Sequence, residues 1–148
     1  MNEESYAKSV EILIIEDNPG DLRLMQEAFS EGKIKPHVTG VGNGEQALAY
    51  LRREGEFAEA SRPDLILLDL NMPRKDGRAV LAEIKGDANL RRIPVVVLTG
   101  SKNAEDIPRA YDLNVNSYIT KPATHEELVN IVRGLEEFWI KVVHLPKD

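Results

Sequence analysis

A chain of 148 residues, 42% hydrophobic and 30% charged, has the length and composition of one ordinary globular unit with a sizeable core. Its net charge of -6 argues against non-specific nucleic-acid binding, because phosphate backbones are neutralised by Lys and Arg. Its lack of cysteine excludes disulfides and thiolate metal sites, and no apolar run approaches the roughly 20 residues of a membrane span.

The first nine residues, Met1–Ser9, are polar and acidic and lack the apolar stretch of a signal peptide, so a cytoplasmic location is expected. Val10–Ile15 is short, apolar and rich in β-branched residues, as a strand is. Asn18-Pro19 opens a helical pattern, with Asn as cap, Pro in the first turn, and Leu22, Met25, Ala28 and Phe29 at helical spacing. A weaker strand, His37–Val41, ends in the turn Gly42-Asn43-Gly44, and Ala47, Leu48 and Leu51 resume helical spacing. A polar loop near Glu54–Arg62 leads to Asp64–Leu70, the most apolar strand candidate. A helix over Gly77–Lys85 and a strand introduced by Pro94 follow. Asn103–Leu113 reads as a helix shortened or loosened by Pro108. Asn116–Ile119 is the fifth strand, and Thr124-x-x-Glu127 is a capping box for the last helix.

Five strands alternating with five helices imply a parallel sheet covered on both faces, and three strands are apolar without alternation, as buried central strands are. Right-handed crossovers leave the flavodoxin-like order 2-1-3-4-5 as the expected α/β architecture, (βα)5 and doubly wound. The expectation is one domain over residues 1–148, with a core of about 10–138 and an extension over 139–148, leaving no room for an output domain. In such sheets ligands bind at the carboxyl ends of the strands, near the point where strand order reverses. Those ends carry Glu16-Asp17, Asp69, Thr99 and Thr120-Lys121-Pro122. Three converging carboxylates repel one another and either take up protons or bind a hard cation, for which magnesium fits an oxygen-rich site shared with phosphate. A flavin or nucleotide site is disfavoured. The loop after strand 1 is acidic, and the G-x-G-x-x-G and G-x-x-x-x-G-K-[ST] patterns are both absent.

Four motifs in order, at four strand ends, make the chain resemble the response-regulator receiver family. They are Glu16-Asp17 after an apolar strand, Leu67–Pro73 with Asp76-Gly77, Val97–Gly100, and Tyr118–Pro122. The likeness runs over roughly Val10–Glu137. It implies that Asp69 is a phosphoacceptor. It implies that Asp17 and Asp69 ligate Mg2+, aided by Glu16 and the backbone carbonyl of Asn71. Thr99 and Lys121 would then contact phosphoryl oxygens, Lys121-Pro122 would be a cis peptide, and Tyr118 would occupy an aromatic switch position. The family commonly has Asp-Asp where this chain has Glu16-Asp17, which bears on metal affinity. Asn71 and Ser101 lie where the family tunes loss of the phosphoryl group.

These roles agree with elementary chemistry. A carboxylate can be a covalent nucleophile, and phosphoryl transfer needs mostly positioning and charge neutralisation. Gly100 leaves access for the donor. Phosphorylation adds roughly -1.5 to -2 charge. Thr99 would swing onto the phosphoryl group and Tyr118 would fill the space it leaves, biasing the face formed by helix 4, strand 5 and helix 5. Two other functions stay open. A Mg2+-dependent phosphohydrolase would usually carry a second acid two residues past the nucleophile, where this chain has Asn71. A pseudo-receiver would bind partners without phosphorylation. His37, His125 and His144 show no ligand spacing and read as structural or solvent-facing.

At the C-terminus, Leu128, Ile131, Val132, Leu135, Phe138 and Trp139 form an apolar stripe. The tail that follows either folds back on its own domain or forms a two-fold dimer contact through Phe138, Trp139, Val142, Val143 and Leu145. Arg52–Phe57, Arg62–Leu68 and Glu137–Trp139 with its tail resemble the phytochrome-associated response regulators of cyanobacteria. That likeness implies a light-sensing phytochrome histidine kinase as partner and a homodimer that pairs through its C-terminal side. With no effector domain expected, output by binding another protein is expected, and the charge and hydropathy favour neither nucleic acid nor membrane as partner.

Overall fold

The computed structural model describes residues 10–31, 36–72, 75–100, 105–122 and 124–137. Five strands and five helices alternate: β1 (Glu11–Ile15), α1 (Pro19–Ser30), β2 (His37–Val41), α2 (Gly44–Leu51), β3 (Leu65–Leu68), α3 (Gly77–Gly86), β4 (Val95–Thr99), α4 (Asp106–Asp112), β5 (Ser117–Thr120) and α5 (His125–Leu135). All strand pairs are parallel and the order is β2-β1-β3-β4-β5, as expected.

The central strands are buried on both faces, and the two-residue period splits their side chains between two cores. Leu13, Ile15, Ile66, Leu68, Val95 and Val97 face α2, α3 and α4. Ile12, Ile14, Leu65, Leu67, Val96 and Leu98 face α1 and α5, where Phe29, Leu128 and Val132 close the layer. The stripe predicted for the last helix is therefore a core face through Leu128, Val132 and Leu135. Phe138, Trp139, Val142, Val143 and Leu145 lie outside the described residues.

Helix starts follow the capping chemistry. Asn18 Oδ1 accepts from the Asp21 amide (3.0 Å), Asn43 Oδ1 from Gln46 (2.8 Å) and Thr124 Oγ1 from Glu127 (3.2 Å). Asn18→Ala is expected to lower stability by about 1 kcal/mol in chemical denaturation, because one first-turn N–H loses its acceptor. The helix containing Pro108 is shorter than the predicted Asn103–Leu113 span. It begins at Asp106 with no side-chain cap and is seven residues long, and positions 101–104 lie outside the described residues.

Candidate phosphoacceptor and metal site

Each loop residue at the site is aimed by one further backbone bond beyond its strand. The Glu16 amide donates to the Val41 carbonyl (3.0 Å), Asp69 to Ile15 (3.0 Å) and Lys121 to Thr99 (2.8 Å). The sheet ladder thus extends past the formal strand ends and delivers Glu16, Asp69 and Lys121 to one place. Glu16, Asp17 and Asp69 each present a carboxylate oxygen within 4.8 Å of the others, the one such cluster among the described residues. Glu16 and Asp69 are buried and Asp17 is exposed. Three hard oxygen donors with one side open fit a divalent cation that keeps part of its water shell.

Lys121 closes the other side. Its Nζ lies 2.5 Å from Glu16 Oε1, 3.0 Å from Asp21 Oδ2 and 3.4 Å from Asp69 Oδ2. Burial alone would lower the Lys121 ammonium, but the hydrogen bond and charge of Glu16, with Asp21 and Asp69, hold it above its ordinary range. Glu16 is pushed up to about 7, first by burial and further by the Asp69 charge, against the lowering effects of Lys121 and the Asn18 amide. The extra methylene of Glu over Asp has a visible use. One Glu16 oxygen reaches Lys121 while the other accepts from the Asn18 amide at 3.1 Å.

Asp69 is held just as closely. Its Oδ1 accepts from the Thr99 hydroxyl (2.7 Å) and from the Asn71 amide (3.1 Å), leaving Oδ2 toward Lys121. Thr99 is fully buried, and its hydroxyl already points at Asp69. Tyr118 already packs inward, against the core on the α2–α4 face. Among the described residues, a Cβ on Gly100 would meet nothing within 4 Å.

The structure therefore brings together Glu16, Asp17, Asp69, Thr99 and Lys121, with Asn71 bonded to Asp69 and Tyr118 one strand away. One expectation is corrected. No peptide bond among the described residues is cis, so Lys121-Pro122 is trans. Trans is the lower-energy isomer even before proline, by roughly 0.5–1 kcal/mol, and Lys121 reaches the carboxylates without the alternative. Two participants escape sequence reasoning. Asp21 sits in the first turn of α1, where its carboxylate accepts from Lys121, 100 residues away in the chain. Arg78 meets the partly distant partners Asn71 and Asp106 through a contact 28 residues away, which no local pattern marks.

The chain matches the response regulator receiver domain over residues 12–133. It is 47% identical to "Response regulator Rcp1" of Synechocystis sp. (strain ATCC 27184 / PCC 6803 / Kazusa), covering 99% of both chains. Its fold is similar to the crystal structure of the phosphorylated cyanobacterial phytochrome response regulator RcpA, with a TM-score of 0.90, 56% identity, and coverage of 93% of this chain and 99% of that one. It is equally similar to the Mn(2+)-bound form of Rcp1, with a TM-score of 0.90, 46% identity and the same coverage. Pattern, fold and site geometry agree with these likenesses: the chain belongs to the response-regulator receiver family, and within it is similar to the cyanobacterial phytochrome response regulators.

Proposed function

We propose that Asp69 accepts a phosphoryl group from a sensor histidine kinase of the phytochrome type, with Mg2+ in the acidic cluster, and that the phosphorylated chain signals by binding another protein. The observation that carries this is the pocket itself: Asp69 Oδ2 stands between an acid cluster and Lys121, and its Oδ1 is fixed by Thr99 and Asn71. Asp17, Asp69 and Glu16, with the Asn71 carbonyl, would hold the ion, which would neutralise charge on the transferring group. Lys121 supplies the second positive charge. The hydroxyl of Thr99 and the ammonium of Lys121 receive phosphoryl oxygens as the Asp69 carboxylate attacks phosphorus and the donor departs. Tyr118 registers the Thr99 position on the β5 side. In this reading the chain is a cytoplasmic signalling protein. It assists its own phosphorylation and dephosphorylation and does not turn over other substrates. It pairs through its C-terminal segment.

The test is transfer of labelled phosphate from a small phosphodonor and from a phytochrome kinase, each with Mg2+ and with chelator. Stoichiometric, acid-stable but base-labile label that needs the metal is expected. Label independent of metal, or continuous release of phosphate from generic esters, would contradict the reading. Sedimentation at tens of micromolar tests the pairing, which a monomer in both phosphorylation states would remove.

Burial of Glu16 adds a pH dependence. Its folded value of about 7 lies above the ordinary 4.5, so between those pH values the native state holds a proton that the unfolded chain has released. The contribution of Glu16 to stability therefore falls as pH rises through that window and is fully lost above about 7. Cation binding needs the carboxylate, so affinity should change the opposite way. Calorimetric titration with Mg2+ is expected to weaken by up to about tenfold from pH 7 to pH 6 and to level off above pH 8. A flat profile would show that Glu16 does not take part.

A further inference from the structure

Arg78, in the first turn of α3, makes more polar contacts than its place requires. Its Nε and Nη2 meet the two oxygens of Asp106 at 2.7 and 2.5 Å, a parallel fork-to-fork pair. Nη2 also donates to Asn71 Oδ1 at 3.3 Å. Nη1 donates to Asp76 Oδ1 at 3.0 Å and to the Leu70 carbonyl at 3.3 Å. Leu70 and Asn71 directly follow Asp69, and the Asn71 amide is bonded to the Asp69 carboxylate. Asp106 is 3% exposed and opens α4.

Helix α4 is short. It spans seven residues, contains Pro108, has no side-chain cap, and buries Asp106 and Ala110 while Ile107 and Tyr111 are 45% and 48% exposed. A cavity of about 100 Å³ lies between it and α3, lined by Leu81, Arg78, Asp106, Ala110 and Leu113 among others. Tight apolar packing would fix a helix by itself. Here a charged fork spans a partly empty interface.

We infer that Arg78 is a positioning residue that couples the Asp69 pocket to α4: it grips the Leu70–Asn71 backbone and side chain with one edge and Asp106 with the other. A shift of the loop as Asp69 is loaded moves the guanidinium, and the guanidinium carries the α4 first turn with it. By linkage the coupling runs both ways, so a partner that holds α4 also biases the pocket. Lysine cannot replace the fork, since it offers one point charge where Arg78 serves four groups. This rests on the phosphoacceptor reading above.

The test uses the full chain as wild type, Arg78→Ala, Arg78→Lys and Asp106→Asn. Beryllofluoride with Mg2+ serves as the phosphoryl mimic. Loading is followed by fluorine NMR and the α4 backbone by hydrogen exchange. In the wild type, exchange over 106–112 is expected to change on loading. In all three variants loading persists with three- to tenfold weaker affinity, α4 exchanges about tenfold faster at rest, and the loading-dependent change disappears. Arg78→Lys keeps the charge, so a loss of response in that variant separates the fork geometry from simple electrostatic stabilisation. An α4 response of wild-type size in Arg78→Lys and Asp106→Asn overturns the coupling alone. A wild type that takes up no beryllofluoride overturns the coupling and the phosphoacceptor reading together.

Discussion

Asp69→Asn is expected to abolish phosphoryl incorporation from every donor while leaving the fold intact. An amide is not a competent nucleophile toward phosphorus, so the loss should be complete within detection, well beyond the 10³-fold that removal of a supporting group costs. The substitution is nearly isosteric. Asn keeps an oxygen for the Thr99 hydroxyl and the Asn71 amide, now at 2.7 and 3.1 Å. What changes is charge. Lys121 loses one of three acidic partners but retains Glu16 and Asp21. Glu16 loses the repulsion of the Asp69 carboxylate, one of the causes that push it up. The Glu16 carboxyl should therefore titrate at lower pH in the variant, measurable by carbon NMR of the labelled side chain, and global stability should change by no more than about 1 kcal/mol. Divalent affinity should fall by at least tenfold, since one of three carboxylate donors is gone. Persistent label in Asp69→Asn would place the acceptor elsewhere. Lost label with collapsed stability would leave Asp69 as a structural residue.

The fold was legible because two periods in the sequence agree with its layers. Ile12–Ile15, Leu65–Leu68 and Val95–Leu98 lack alternation, and that alone marks strands covered on both faces. Asn18 and Thr124 mark helix starts by chemistry that needs no tertiary context, whereas Asn43, read as part of a turn, also caps a helix. Strand edges shift by a residue or so, because a ladder ends where the partner strand turns away, not where hydrophobicity stops. Asp64 and Leu70 fall outside β3 for that reason. The acidic site was legible because the topology puts every strand's carboxyl end on one rim, so residues just after four apolar runs must meet. Asp21 was overlooked because it belongs to a helix, where an acid in the first turn has an adequate local explanation in the helix dipole. Its contact with Lys121, 100 residues away, has no sequence period. The Arg78–Asp106 pair is hidden in the same way: both residues look like ordinary helix-surface charges until the fold places α3 beside α4. The cis bond before Pro122 was implied by likeness alone and had no support in the residues.

Gly77→Ala should be strongly damaging while leaving every functional side chain in place. Gly77 opens α3, and its amide donates to the Leu70 carbonyl at 3.0 Å. A Cβ there would lie 2.2 Å from the Asp69 carbonyl oxygen, 2.5 Å from Leu70 Cα and 2.9 Å from the Leu70 carbonyl oxygen. All three are backbone atoms, so no rotamer change relieves the clash. Backbone freedom is not the issue, since Gly77 is not among the positive-φ glycines. Either α3 moves outward, opening the core around Val80, Leu81 and Ile84, or the Asp69–Leu70 segment moves against its bond to the Ile15 carbonyl. A loss of about 3 kcal/mol is expected, which for a chain of this size lowers Tm by about 10 °C. Phosphoryl acceptance should slow by about 10²-fold in folded protein, because a displacement near 1 Å at the reacting carboxylate is enough to do so. Gly86→Ala is the matched control. A Cβ there meets nothing within 4 Å at the other end of the same helix, so that change should be neutral or stabilising by up to about 1 kcal/mol. Equal Tm values for the two variants would mean that helix propensity, and not the close approach of α3 to the Asp69 backbone, decides the cost. The requirement for glycine after Asp76 would then have nothing to do with how the carboxylate is held.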